Sequence, residues 1–308
     1  MQHYYGIDIG GTKIELVACD ARLEVLHRRR IDTPTRDYPA FLHAVAGLVG
    51  EVGAELGQPA HAIGIGLPGV VDRASGRQLS ANVPALSGQT VGRDLRARIA
   101  QPLHFGNDLQ CFALSEAHGG AADGQPSMFG AILGTGAGGG YCVQGRLIDG
   151  YNGIAGEWGH WSVAAHLLAK HGLPVIDCAC GLRGCVERYV SGGGLAMIHH
   201  HLGGDGSDAA TIIGRAAQGD AIATRALDVH RDLLGHALAS LILAVDPHVI
   251  VLGGGLSKDE RLYRELPAAI SAHLFTGVRV PPILPPVFGD AGGARGAALL
   301  ARQHHPIS

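Results

Sequence analysis

Asp8-Ile9-Gly10-Gly11-Thr12-Lys13 joins two apolar runs, Tyr4–Ile9 and Ile14–Cys19. Each run reads as a strand, so the pair forms a hairpin with a glycine-rich turn. A carboxylate closes the first strand, two glycines follow, and a hydroxyl and an ammonium come next. Glycines let backbone N–H groups line up on an anion. Thr12 and Lys13 add donors for phosphate oxygens, and Asp8 suits Mg²⁺ held through water. The GxxxxGK[ST] spacing of a P-loop is missing. Taken alone, the segment has a second, weaker reading as a plain tight hairpin.

The same unit recurs further along the chain. Ser127–Leu133 reads as a strand, Gly134–Gly140 as a glycine-rich turn and Tyr141–Gln144 as a second strand. An imperfect duplication is the natural explanation. The second turn contains a GxGxxG match, but it joins two strands where a dinucleotide fingerprint opens a helix, so a nicotinamide-dependent enzyme is rejected. Two such hairpins, one from each half, are expected to clamp a nucleoside triphosphate between domains. Gly253-Gly254-Gly255, after the strand His248–Leu252, is expected to pack against the nucleotide.

Outward from these turns the pattern is α/β. Strands are expected at Glu24–Ile31, Ala62–Gly66 and Leu103–Phe105, and helices at Tyr38–Leu56, about Asp108–His118, most of Ala209–Ala244 and about Gly293–Gln303. A chain of 308 residues suits two domains of about 150. The expected division is residues 1–118 plus about 290–308, carrying the first phosphate loop, against 119–289. Hydrophobic residues at 46% supply a core, and 48 glycines supply the turns. A net charge of -3 argues against a nucleic-acid-coating surface. No leader pattern precedes Tyr4 and no apolar run reaches membrane-helix length, so a cytoplasmic location is expected.

Asn107-Asp108 stands between a strand and a helix. Phosphoryl transfer to a hydroxyl needs a base near the attacking oxygen and little other covalent chemistry. Simple helix capping is the other reading of Asp108. Gly156-Glu157-Trp158-Gly159-His160 adds a carboxylate and a histidine in a loop. His199-His200-His201 reads as a solvated helix end.

Of six cysteines, three crowd into Cys178-Ala179-Cys180-Gly181-Leu182-Arg183-Gly184-Cys185. Three thiolates with glycines permitting tight turns fit a tetrahedral ion short of one ligand. His160 supplies the fourth, making a closed, structural zinc site that braces the loops of Glu157 and Glu187. A redox pair and chance clustering are the alternatives.

Together, Asp8–Lys13, the Leu133–Gly140 turn, Gly156–His160 and the CysXCysGlyXXGlyCysXGlu pattern at 178–187 resemble the ROK family along nearly the whole chain. The resemblance implies a two-domain actin/hexokinase-like (RNase H-like) ATPase fold with a duplicated core and an interdomain active-site cleft. It implies an ATP- and Mg²⁺-dependent sugar kinase with Asp108 as catalytic base. Gly69, Asn82, Asn107, Asp108, Glu157, His160 and Glu187 would contact the sugar, His160 while also ligating zinc. Asp8, Gly10, Gly11, Thr12 and Lys13, then Gly134, Thr135, Gly136, Gly138, Gly139 and Gly254, would bind the nucleotide. The family's repressors carry an added N-terminal helix-turn-helix, and none is expected ahead of Asp8.

Ser80–Gly88 and Cys111–Glu116 resemble the members that phosphorylate N-acetylglucosamine. Trp158, where those members more often carry Phe, keeps fructose and glucose as alternatives. Leu109 departs from the small residue usual after the catalytic Asp. A non-catalytic sugar sensor is a reading of another class, opposed by intact Asp8, Asp108 and glycine turns. A homodimer, without nucleic-acid or membrane partners, is expected.

Overall fold

The structure, a computed structural model, describes residues 2–80, 82–289 and 292–306. Strands β1 (Tyr4–Ile9), β2 (Lys13–Cys19), β3 (Val25–Asp32) and β4 (Ala62–Leu67) open the chain, followed by the short hairpin β5 (Val70–Asp72) and β6 (Arg77–Leu79), then β7 (Leu103–Asn107). β8 (Ser127–Leu133), β9 (Ala137–Val143), β10 (Arg146–Leu147), β11 (Val249–Gly253) and β12 (Ile283–Leu284) form the later set. Helices α1 (Tyr38–Glu55), α2 (Val91–Arg96) and α3 (Asp108–Glu116) lie among the first set. After β10 come α4 (Ala165–His171), α5 (Glu187–Val190), α6 (Gly192–His201), α7 (Ala209–Ala217), α8 (Ala221–Val245), α9 (Glu260–Ser271) and α10 (Gly292–His304).

The two five-stranded sheets repeat one order, β3-β2-β1-β4-β7 and β10-β9-β8-β11-β12. In the first, β1 pairs antiparallel with β2 and parallel with β4, which is parallel to β7. In the second, β11 is parallel to both β8 and β12. The chain divides into two compact units. One comprises residues 1–124, 140–155 and 287–308; the other comprises 125–139 and 156–286.

In the first unit β1 and β4 are buried almost throughout, as strands covered on both faces are. Their registers align Asp8 with Gly66 and Leu67 with Asn107. Asp8 and Asn107 therefore stand at the carboxyl ends of parallel strands, the usual ligand edge of such sheets. Helix α10 lies directly on this sheet because glycines leave room for it. A Cβ on Gly6 would come 1.8 Å from the Ala294 carbonyl oxygen, and one on Gly64 equally close to that of Ala297. β3 alternates exposed and half-buried residues, with Arg28 and Arg30 paired to buried Glu15. In the second unit α8 runs 25 residues from an Asp220 cap and buries Leu233, Leu234, Leu238, Leu241 and Ile242.

Two expectations need correction. The second glycine turn is shorter than its composition indicates. β9 begins at Ala137, so Gly138, Gly139 and Gly140 are buried strand residues. Close packing explains them: a Cβ on Gly139 would meet the Gly130 oxygen at 2.2 Å, and one on Gly140 the Gln110 Cα at 2.9 Å. His199 is not solvated. It is 1% exposed, with Gly204 packed on its ring, while His200 and His201 are exposed.

Candidate active site

The first unit carries the Asp8 turn and the Asn107-Asp108 corner. Gly10 donates its N–H to the Lys13 carbonyl at 2.9 Å, and the Thr33 hydroxyl donates to the Gly10 carbonyl at 2.8 Å. Thr12 stays exposed at the tip. Burial, with Glu15 adding to it and Lys13 opposing, pushes the Asp8 carboxyl up to about 6. A divalent cation at that carboxylate would offset the cost of keeping it ionised. Gly11 lies against Asn82, where a Cβ would meet the Asn82 carbonyl oxygen at 3.1 Å.

Asn107, not Asp108, caps α3. Its Oδ1 accepts from the N–H groups of Leu109 at 2.9 Å and Gln110 at 3.3 Å. Its Nδ2 donates to the Gly69 carbonyl at 2.9 Å, and Gly69 sits at φ 79° with its Cα against β6. The cap position therefore belongs to Asn107. Asp108 is the first helical residue, half-buried at the strand–helix corner. One N–H of the Asn107 amide remains for a ligand.

The second unit brings its remaining candidates together. Its turn is closed by the Gly134 N–H donating to the Gly136 carbonyl at 2.9 Å. The Gly192 N–H donates to the Gly134 carbonyl at 2.8 Å, and Gly254 at φ 80° backs onto Leu133. Glu187 opens α5 beside this turn, its Oε2 accepting from the Ala137 N–H at 3.4 Å. Its other oxygen, Oε1, accepts from the Cys178 thiol at 3.1 Å. His160 Nε2 lies 3.7 Å from Glu157 Oε2, while its Nδ1 faces Glu187 Oε1 at 3.9 Å. Burial raises the Glu157 carboxyl, with His160 opposing and Glu187 reinforcing.

His160, Cys178, Cys180 and Cys185 each offer one ligand atom, all within 4.8 Å of one another. Cys180 and Cys185 sulfurs lie 3.6 Å apart, and Cys178 Sγ lies 3.8 Å from His160 Nδ1. A zinc tetrahedron with bonds of about 2.0–2.3 Å has edges of roughly 3.5–3.8 Å. Donor set and spacing both fit zinc. Among the described residues this is the one group of its kind.

Sequence reasoning missed two buried charged residues near the far end of α3. Glu116, fully buried, accepts backbone N–H groups of Ala121 at 2.9 Å and of Val287 and Phe288, both at 3.1 Å. Arg295 lies over the Phe288 ring and donates to the Ser115 carbonyl at 3.1 Å. Ser115-Glu116 amid the apolar run Cys111–Leu114 was the available signal: charge in an apolar stretch is retained only with partners. Trp158 is 1% exposed.

The ROK family model matches residues 4–304. The N-acetylgalactosamine kinase AgaK of Shewanella sp. (strain ANA-3) is 45% identical, over 96% of each chain. The N-acetyl-D-glucosamine kinase of Aliivibrio fischeri is 42% identical, over 96% of this chain and 98% of its own. Among solved structures, a ROK family glucokinase from Streptomyces griseus in complex with glucose and AMPPNP superposes with a TM-score of 0.81 at 28% identity, covering 98% of this chain and 99% of its own. The chain belongs to the ROK family and has its actin/hexokinase-like ATPase fold. It is an ATP-dependent sugar kinase.

Proposed function

We propose that the chain transfers the γ-phosphoryl group of ATP to the 6-hydroxyl of N-acetyl-D-glucosamine. Asp108 takes the hydroxyl proton as the oxygen attacks γ-phosphorus, the bond to the ADP oxygen breaks, and sugar 6-phosphate and ADP leave. The observation that carries this is the place of Asp108: it follows directly on β7 at the carboxyl edge of the parallel strands β1, β4 and β7, half-buried at the start of α3. The turns at Gly10–Lys13 and Gly134–Gly136 would hold the phosphates, and Asp8 an Mg²⁺ that balances their charge. Glu157, His160 and Glu187 would hold sugar hydroxyls. The Cys178, Cys180, Cys185 and His160 set would hold a structural zinc, fixing the His160 ring through Nδ1 and leaving Nε2 toward Glu157.

The choice of N-acetylglucosamine is supported by Ser80–Gly88 and by relatives at about 40% identity that bear that name. N-acetylgalactosamine is the second reading, favoured by the 45% identical relative. Fructose and glucose are the further alternatives, raised by Trp158, which is buried. Steady-state rates on N-acetylglucosamine, N-acetylgalactosamine, N-acetylmannosamine, fructose and glucose decide among them. The highest kcat/KM is expected with N-acetylglucosamine; a preference for any other sugar overturns the choice. Asp108→Asn should lower kcat about 10²–10⁴-fold while sugar still binds. Near-normal turnover would remove Asp108 as the base.

A further inference from the structure

We propose that Gln110 is a positioning residue for the sugar-binding loop: its buried amide holds the carbonyls of Gly153 and Ala155, and so sets the point from which the chain enters Gly156-Glu157. This deepens the reading above and rests on Glu157 as a sugar ligand.

Gln110 is 5% exposed, in the first turn of α3 two residues after Asp108. Its Nε2 donates to the Ala155 carbonyl at 3.2 Å and lies 3.5 Å from that of Gly153. A primary amide carries two N–H donors, which matches two carbonyls. The base of this arm is fixed twice. The Gln110 backbone N–H is capped by Asn107, and Gly140 presses so closely that a Cβ there would come 2.9 Å from the Gln110 Cα. Residues Cys111–Leu114 are buried and mostly apolar, so an amide among them without a partner would be costly.

The segment it holds is otherwise tied mainly to itself. Ala155 N–H donates to the Asp149 carbonyl at 3.2 Å, and Gly153 N–H to that of Gly150 at 3.3 Å. Exposed Arg73 adds one bond, to the Tyr151 carbonyl at 2.7 Å. Gln110 is thus the buried anchor. The next residue, Gly156, has φ 107°, a conformation that favours glycine, and Glu157 follows directly. Glu157 follows two residues after the anchored Ala155 carbonyl, so the Gln110 bond bears on the backbone that leads into it.

The test uses full-length, zinc-loaded enzyme carrying Gln110→Met, which keeps the length of the arm and removes its donors. The sugar KM should rise about tenfold, as for a lost hydrogen bond leaving partly buried carbonyls unpaired, while the KM for ATP stays within about twofold. A double-mutant cycle with Glu157→Gln separates positioning from general damage. If Gln110 acts through Glu157, the combined loss in kcat/KM for sugar is much smaller than the product of the two single losses. If the Met variant fails to fold, Gln110→Asn, which keeps the amide on a shorter arm, is measured the same way. An unchanged sugar KM, equal rises in both KM values, or multiplicative losses overturn the inference. If Glu157→Gln itself leaves sugar KM unchanged, the reading of the sugar loop fails, and the inference with it.

Discussion

At the start of α3 two adjacent polar side chains differ in what they do: the Asn107 amide holds the helix start, while Asp108 is its first, half-buried residue. The strand–helix corner alone offered Asp108 as the cap; the hydrogen bonds from Leu109 and Gln110 give that task to Asn107. Single buried groups also set the pH response. His230 is fully enclosed, its Nε2 2.8 Å from the Val190 carbonyl, and burial lowers its pKa from 6.5 to about 4. Its folded pKa is depressed, so the unfolded chain binds the proton first. The associated stability is fully present above pH 6.5 and is lost as pH falls toward 4, amounting to about 3 kcal/mol. His230→Gln, which keeps an amide donor for Val190, should flatten that part of the curve. Urea denaturation of both proteins at pH 7 and pH 4.5 checks it: the wild type should lose more stability on acidification than the variant. Such a residue was not legible beforehand, because one histidine among 18 carries no sign of its burial.

Between elements, glycine decides how closely helices approach strands. The hairpin turns were legible because Gly10-Gly11 and Gly134–Gly136 separate clear apolar runs. Gly138–Gly140 were misread as turn because composition does not distinguish a glycine that bends the chain from one that clears space beside it. The same ambiguity hid the bed of α10, where Gly6 and Gly64 read as ordinary strand residues. Their role has a sharp consequence. A methyl group at Gly64 must displace the α10 backbone at Ala297, since the contact would be 1.8 Å. Gly64→Ala should therefore cost about 3 kcal/mol or more, whereas Gly47→Ala, on α1 with nothing within 4 Å, should stabilise by up to about 1 kcal/mol. Paired urea titrations measure the difference, and equal midpoints would refute the packing argument. Asp232 is a second device at this scale. It accepts from Lys170 at 2.7 Å, pairs with His171 at 2.6 Å and with His273 at 2.9 Å, tying α4 and the end of α9 to α8. Asp232→Asn should destabilise the protein by about 2–3 kcal/mol, mostly through the two nearly buried histidines, because the exposed Lys170 pair contributes little.

At the scale of the whole molecule, one strand order occurs twice, and each copy places a glycine turn after its first strand. That duplication was legible from two stretches alone, as was the cysteine cluster, because both are local in sequence. What was not legible lies in contacts between distant segments: Glu116 with Val287 and Phe288, Gln110 with Ala155, Glu187 with Ala137. The two copies differ in what supports them. In the second unit the Cys178–Cys185 segment has little apolar packing of its own, since Cys180, Leu182 and Arg183 are exposed. A metal would supply the missing restraint, as binding to a folded donor set adds directly to folding free energy. Chelation should therefore act on one unit more than the other. Hydrogen exchange on protein before and after treatment with a strong chelator should show faster exchange across about residues 157–190, with β1 and β4 little changed. Elemental analysis of the starting material should give about one zinc per chain. Sugar KM should rise with the loss of metal, because His160 and Glu187 share the affected segment. Unchanged exchange across 157–190 after complete zinc removal would mean that the thiols and His160 hold that loop without a metal, and the structural role assigned to zinc would fall.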